Sequence, residues 1–293
     1  MPSLKDIRLS IDSTKNTQQI TKAMKMTSAA KLRRAQLNIV NMRPYAQGLM
    51  TVISDVAATE AVQHPLLERK SDPKKILLVV VTSDRGLCGA FNTNVSKFAE
   101  RYLKDNKGKY EKIDMMMIGR KGADYFRRRG KTPIDTILNM AKDISYPMAA
   151  KIADRVIEMY QSGEYDEVRF IYNEFRSAIS QVVNCETLLP IDLEKAGTLK
   201  EGAGGFSREL IYEPSPAEII DQLILKHFST QVYRCMSESV AAEHGARMTS
   251  MENATKNAGE MIRSLTLKYN KARQAAITTE LIEITSGAEA LKA

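Results

Sequence analysis

Apolar and polar positions follow three regimes along the chain. From residue 3 to residue 43 there is neither glycine nor proline, and good helix formers dominate. Positions spaced alternately four and three apart read Leu4, Ile7, Ile11, Thr14, Gln18, Thr21, Lys25, Ser28, Leu32, Ala35, Ile39 and Met42, apolar at both ends and polar between. The pattern predicts one helix over 3–43, roughly 60 Å long, that pairs with another helix near its ends. After Pro216 no proline occurs, and only Gly245, Gly259 and Gly287 interrupt helix formers. Ser215 can cap that segment, with Pro216 at its first helical position and Glu218 as the capping-box partner. This predicts a second helix over 217–285, about 100 Å long. A heptad runs through Met248, Met251, Thr255, Ala258, Ile262, Leu265, Tyr269, Ala272, Ala276 and Thr279.

Connectivity then dictates geometry. One helix enters the middle of the chain and the other leaves it, so a pair between them must be antiparallel. The second is the longer, so its tip, from about Leu267 to Ala293, is expected to stand beyond its partner. A lone helix carrying Ile277, Leu281, Ile282 and Ile284 calls for a surrounding socket.

Between the helices the period changes. Residues 74–82 form a strand apolar enough to be buried on both faces, followed by a turn over 83–92 and an amphipathic helix to about Asn106. Strand 112–118, helix 121–129, a short strand near 134–138 and helix 146–161 continue the alternation. Segments 167–175 and 179–189 read as a strand pair. A glycine-rich stretch at 202–205 precedes a further segment at 209–212. The expectation is α/β with long terminal helices: an antiparallel coiled coil of the N- and C-terminal helices plus a central Rossmann-like α/β domain. The boundaries are 1–57, 74–213 and 214–293.

Charge adds direction. The formal net charge is +8, but its excess lies almost wholly in residues 1–43, and acidic relief is missing from Lys15 to Arg34. Lys22, Lys25, Arg33 and Arg34 therefore point to an acidic partner, with a merely solvated face as the alternative. A nucleic-acid partner is disfavoured, because the chain has no Trp and aromatics make up 6% of it. No apolar run reaches the length of a membrane span, and no secretory signal is visible at the start, which points to the cytoplasm.

Candidate chemistry is sparse. Cys88, Cys185 and Cys235 are scattered and never in a C-x-x-C spacing, so they read as buried thiols. His64, His227 and His244 are isolated from ligand partners. The turn Gly86-Leu87-Cys88-Gly89 after a strand invites a nucleotide-binding enzyme, yet no phosphate-loop or dinucleotide fingerprint is present. A backbone need for glycine, with Asn92 capping the next helix, accounts for it. No cofactor or metal is expected.

Three stretches carry a resemblance. Asn16-Thr17-Gln18-Gln19-Ile20-Thr21-Lys22-Ala23-Met24-Lys25-Met26, continuing through residues 29–35, resembles the N-terminal helix of the gamma subunits of F-type ATP synthases. Residues 269–281, Tyr-Asn-Lys-Ala-Arg-Gln-Ala-Ala-Ile-Thr-Thr-Glu-Leu, resemble that family's C-terminal signature, and residues 83–89 resemble its central-domain turn. The resemblance implies a non-catalytic rotor shaft turning inside a ring of alternating alpha and beta subunits. The α/β domain would sit against the epsilon subunit and the c-subunit ring, touching the membrane only through that ring, at the cytoplasmic face of a bacterial cell membrane. It also implies roles for particular residues. Arg273, Gln274 and Thr278 would contact a beta-subunit loop, Met24 and Lys25 would pass acidic beta-subunit segments, and Tyr212 and Glu213 would form the foot near the c ring. Asp12 and Thr14 depart from the family's usual basic and aliphatic residues. No cysteine-bearing insertion of the chloroplast kind is present, so thiol regulation is not expected.

Overall fold

The computed structural model describes residues 3–59, 64–138, 144–192 and 216–290. Its elements in chain order are α1 (Leu4–Thr59), β1 (Lys75–Val81), α2 (Phe91–Asp105), β2 (Lys112–Ile118), α3 (Arg120–Arg127), β3 (Asp135–Ile137), α4 (Tyr146–Gln161), β4 (Glu167–Phe175), β5 (Gln181–Leu189) and α5 (Pro216–Ala290). Two compact units result. One combines residues 1–28 with 248–293, and the other spans 29–247. Residues 209–212 and the glycine-rich stretch lie outside the described residues.

In the larger unit a five-stranded sheet runs in the order β3-β2-β1-β4-β5. β1 pairs in parallel with β2 and β4, and β3 is parallel to β2, whereas β5 pairs antiparallel with β4. The central position of β1 follows from its sequence: Ile76, Leu77, Leu78, Val79, Val80 and Val81 are all fully buried, so both faces need cover. One face supplies Ile76, Leu78 and Val80 to a core with Val95 and Ala99 of α2, Met117 of β2, and Ala123 and Phe126 of α3. α5 is tied to the β4–β5 edge, where Arg234 donates to Glu186 at 2.7 Å and to the Tyr172 hydroxyl at 3.0 Å. α4 meets α5 where Tyr146 packs edge-on against Tyr233.

β2, α4 and β4 match their expected bounds to the residue. α1 does not end near Arg43; it continues through Pro44 to Thr59. Proline removes one helical hydrogen bond, but the turns beyond it bury Leu49, Met50 and Ile53 against Leu223. Apolar burial of roughly 1.5–3 kcal/mol per large side chain outweighs that loss. Asn92 does not cap α2 either: the cap position is Ala90, with no side-chain bond. Cys185 is only half-buried, while Cys88 and Cys235 are buried.

In the smaller unit α1 and α5 form the expected antiparallel pair. Contacts between them run Thr14 with Met261, Gln18 and Thr21 with Thr255, and Lys25 with Glu252, rising along one helix as they fall along the other. Ile7, Ile11, Thr21, Ser28, Met251 and Ala258 are buried in the seam.

Candidate coupling surface

α5 outruns its partner. Half-buried seam positions continue through Ile262, Leu265, Tyr269 and Ala272, whereas residues 273–288 are all exposed. The uncovered stretch therefore starts at Arg273, not near Leu267, because Tyr269 and Ala272 are still half-buried. Ile277, Leu281, Ile282 and Ile284 are 50%, 57%, 58% and 61% exposed. With large aliphatic side chains facing water over about two turns, this is an adhesive surface without an intramolecular partner among the described residues. Arg273 and Gln274 are exposed at its base. Thr278 is exposed too, but its hydroxyl donates back to the Gln274 carbonyl at 2.9 Å.

Along α1, Lys22, Arg33 and Arg34 are exposed and Met24 is half-buried. Lys25 is not simply presented outward. Its ammonium pairs with Glu252 at 2.6 Å across the helix pair, so an external acidic group must compete for it. Tyr212 and Glu213 lie outside the described residues. Among the described residues the predicted positions fall on α1, where Lys22, Arg33 and Arg34 are exposed, and on the uncovered end of α5.

The glycine turn has a different occupation from the one a nucleotide would need. Asp84 accepts from the Arg120 backbone N–H at 3.0 Å, at the start of α3. Asn92 closes the turn by accepting from the Ser83 N–H at 2.9 Å and donating to the Ser83 hydroxyl at 2.8 Å. Arg247 of α5 donates to the Gly86 carbonyl at 3.4 and 3.2 Å and pairs with Glu243 at 2.7 Å. Gly89 adopts φ 58°, a backbone conformation that favours glycine. Gly119 closes β2 because an added Cβ there would lie 2.2 Å from the Thr82 carbonyl oxygen. These glycines serve close packing of backbone.

Titratable groups here are quiet. Burial pushes the Cys88 thiol up, opposed by Arg247, so the reactive thiolate is scarce at neutral pH. Burial lowers His227 and His244 to about 4, keeping both rings neutral. Burial raises the Glu243 carboxyl, with Arg247 opposing. Among the described residues no cluster of three metal-ligating side chains occurs, and no helix is long and apolar enough to cross a membrane. Sequence reasoning missed the Arg247–Glu243–Gly86 contact. The i,i+4 spacing of Glu243 and Arg247 signals their pairing, but nothing local points to a carbonyl 161 residues away.

The sequence model of the ATP synthase family matches residues 3–291. An ATP synthase gamma chain of Bdellovibrio bacteriovorus is 64% identical over 294 residues, and one of Trichlorobacter lovleyi is 51% identical over 293, each covering 100% of both chains. Among solved structures, a chain from the central stalk and c-ring of the Tetrahymena thermophila mitochondrial ATP synthase aligns with a TM-score of 0.61 at 30% identity, covering 80% of this chain and 99% of that one. A chain from the Euglena gracilis mitochondrial assembly of OSCP, F1 and c-ring shares the fold, with a TM-score of 0.67 at 24% identity over 98% and 94% of the two chains. An uncovered helical end in the smaller unit, and an α/β sheet in the larger one whose turn at Gly86–Gly89 is filled by the chain's own side chains, thus accompany full-length similarity, and the chain belongs to the ATP synthase gamma-chain family.

Proposed function

We propose that this gamma chain is the central rotor shaft of a proton-translocating ATP synthase and couples proton flow through the membrane sector to ATP synthesis in the catalytic ring. It is a subunit of that complex and not catalytic on its own. The observation that carries the reading is the exposed apolar end of α5, a surface that gains its stabilisation only when another assembly encloses it. Segments 1–57 and 214–293 act as the shaft, and 74–213 as the domain that takes up torque.

In this reading the tip turns within a sleeve formed by alpha and beta subunits. Arg273, Gln274 and Thr278 meet the beta subunits at some angles, with Arg273 supplying a charge-assisted contact. Met24 and the basic residues Lys22, Lys25, Arg33 and Arg34 pass acidic beta-subunit segments, and Lys25 exchanges Glu252 for an external carboxylate. Tyr212 and Glu213 stand at the foot near the c ring, the epsilon subunit binds the α/β domain, and the complex lies at the cytoplasmic face of a bacterial membrane. An asymmetric shaft gives three otherwise equivalent sites different affinities at each angle, and that differential binding is the coupling energy. The resemblance of residues 16–26 and 269–281 to the family's end motifs supports these assignments. The test is Arg273→Ala combined with Gln274→Ala in the reconstituted complex: ATP-driven proton pumping into vesicles should fall, and unchanged pumping would refute the role.

A further inference from the structure

The seam of the helix pair changes character midway. Ile7 and Ile11 are buried near its end, but from residue 14 to residue 28 the seam positions of α1 are Thr14, Gln18, Thr21, Lys25 and Ser28. Thr21 is 8% exposed, and its hydroxyl oxygen lies 2.8 Å from that of Thr255. The Gln18 amide donates to the Thr255 carbonyl at 3.4 Å. A Cβ at Gly259 would come 3.1 Å from the Gln18 Nε2, so glycine there leaves the amide its place.

Each hydroxyl has one proton, which restricts the wiring. Thr21 is within reach of the Gln18 carbonyl at 3.0 Å, and Thr255 of the Met251 carbonyl at 2.7 Å. If both donated along their own helices, two lone pairs would face each other. One proton must therefore cross: Thr21 donates to Thr255, which donates to Met251, or Thr255 donates to Thr21, which donates to Gln18. Either arrangement is a continuous hydrogen-bond chain from one helix to the other. Apolar contacts are non-directional and survive sliding, whereas a hydrogen bond tolerates only a few tenths of an ångström. Slippage by one turn would part the buried Thr21 hydroxyl from the half-buried Thr255 hydroxyl and break their bond across the seam. Buried polar residues in coiled coils set register in this manner.

We propose that the Gln18–Thr21–Thr255 layer is a positioning device that fixes the axial register of α1 and α5, so that torque on one helix passes to the other. The torque clause rests on the rotor reading; the register clause does not. The test labels Ser10→Cys and Ser264→Cys with spin probes in a Cys185→Ala chain whose other two native thiols are buried, and measures the distance distribution by pulsed electron resonance. The chain with the intact layer should give one narrow distance. Thr21→Val with Thr255→Val, which keeps side-chain shape and removes the hydroxyls, should at least double the width at unchanged helicity by circular dichroism. Thr255→Ser, which keeps the hydroxyl, should leave it narrow. An unbroadened distribution in the double-valine chain overturns the register lock. In reconstituted complexes the double-valine chain should lower protons pumped per ATP hydrolysed at least twofold, whereas Thr255→Ser should keep the wild-type ratio. A broadened distance with an unchanged ratio overturns the torque clause. Failure of the wild-type chain to assemble with alpha and beta subunits sinks the rotor reading instead, leaving the register result standing.

Discussion

β1 and the end of α5 are both rich in large aliphatic residues, yet they have opposite fates. Every residue from Ile76 to Val81 is 0% exposed, while Ile277, Leu281, Ile282 and Ile284 are all at least half exposed. The strand completes its burial within its own unit, between β2, β4 and the helices over them. The helix end finds no such cover among the described residues. Apolar composition states a demand for cover, and connectivity decides whether the same chain can meet it.

The sharpest way to break that contrast is to delete equal amounts of apolar surface on each side. Phe170→Ala in β4, at a side chain 0% exposed, should lower the unfolding free energy by about 3–5 kcal/mol in denaturant titrations. A comparable cost follows from Arg247→Met. It leaves Glu243, whose side chain is 3% exposed, as a buried charge without its cation, for about 3–5 kcal/mol. This variant has a pH signature. Glu243 is already raised by burial, and without Arg247 it rises further, so the folded state binds a proton the unfolded state has released. Stability then falls as pH rises through that window, and the deficit of Arg247→Met should shrink on acidification from neutral pH.

A smaller effect comes from the buried imidazoles. His227 and His244 titrate at about 4 in the fold against an ordinary value near 6.5. The unfolded chain binds more protons between those values, so stability should be lost as pH falls from about 6.5 to about 4. His227→Gln should flatten that part of the profile, by an amount on the order of 2 kcal/mol. Smaller again is the Lys25–Glu252 pair, with side chains 37% and 57% exposed. A double-mutant cycle to alanine should give at most about 1 kcal/mol, declining in high salt. Last, Leu281→Ala should change the stability of the free chain by no more than about 0.5 kcal/mol, while weakening assembly with the alpha and beta subunits. A large loss in the free chain would show that the tip is already covered, and the comparison would fail.

Much of this was legible from local pattern. The β2, α4 and β4 bounds were readable because strand and helix periods there coincide with the burial the fold provides. The helix pair was readable because its seam residues recur at heptad spacing and the connectivity leaves only an antiparallel arrangement. The misreadings share a cause. Pro44 is a local stop signal, overruled by burial of Leu49, Met50 and Ile53 against a residue of α5. Asn92 has a capping residue's chemistry, but Ser83, brought beside it by the turn, offers better partners. Among the site residues, the exposure of Arg273 and Gln274 followed from the length mismatch of the two helices, whereas the capture of Lys25 by Glu252 did not.

Residue pattern and connectivity were enough for the element types, the antiparallel sense of the terminal helices and the presence of an apolar end longer than its partner, because periodicity and chain order are local or topological properties. Long-range packing set where α1 stops, where the uncovered stretch begins, that Arg247 reaches Gly86 and that Thr21 faces Thr255. Those outcomes depend on distances between segments far apart in the chain, set by the summed packing of many side chains, and no single stretch of residues encodes them.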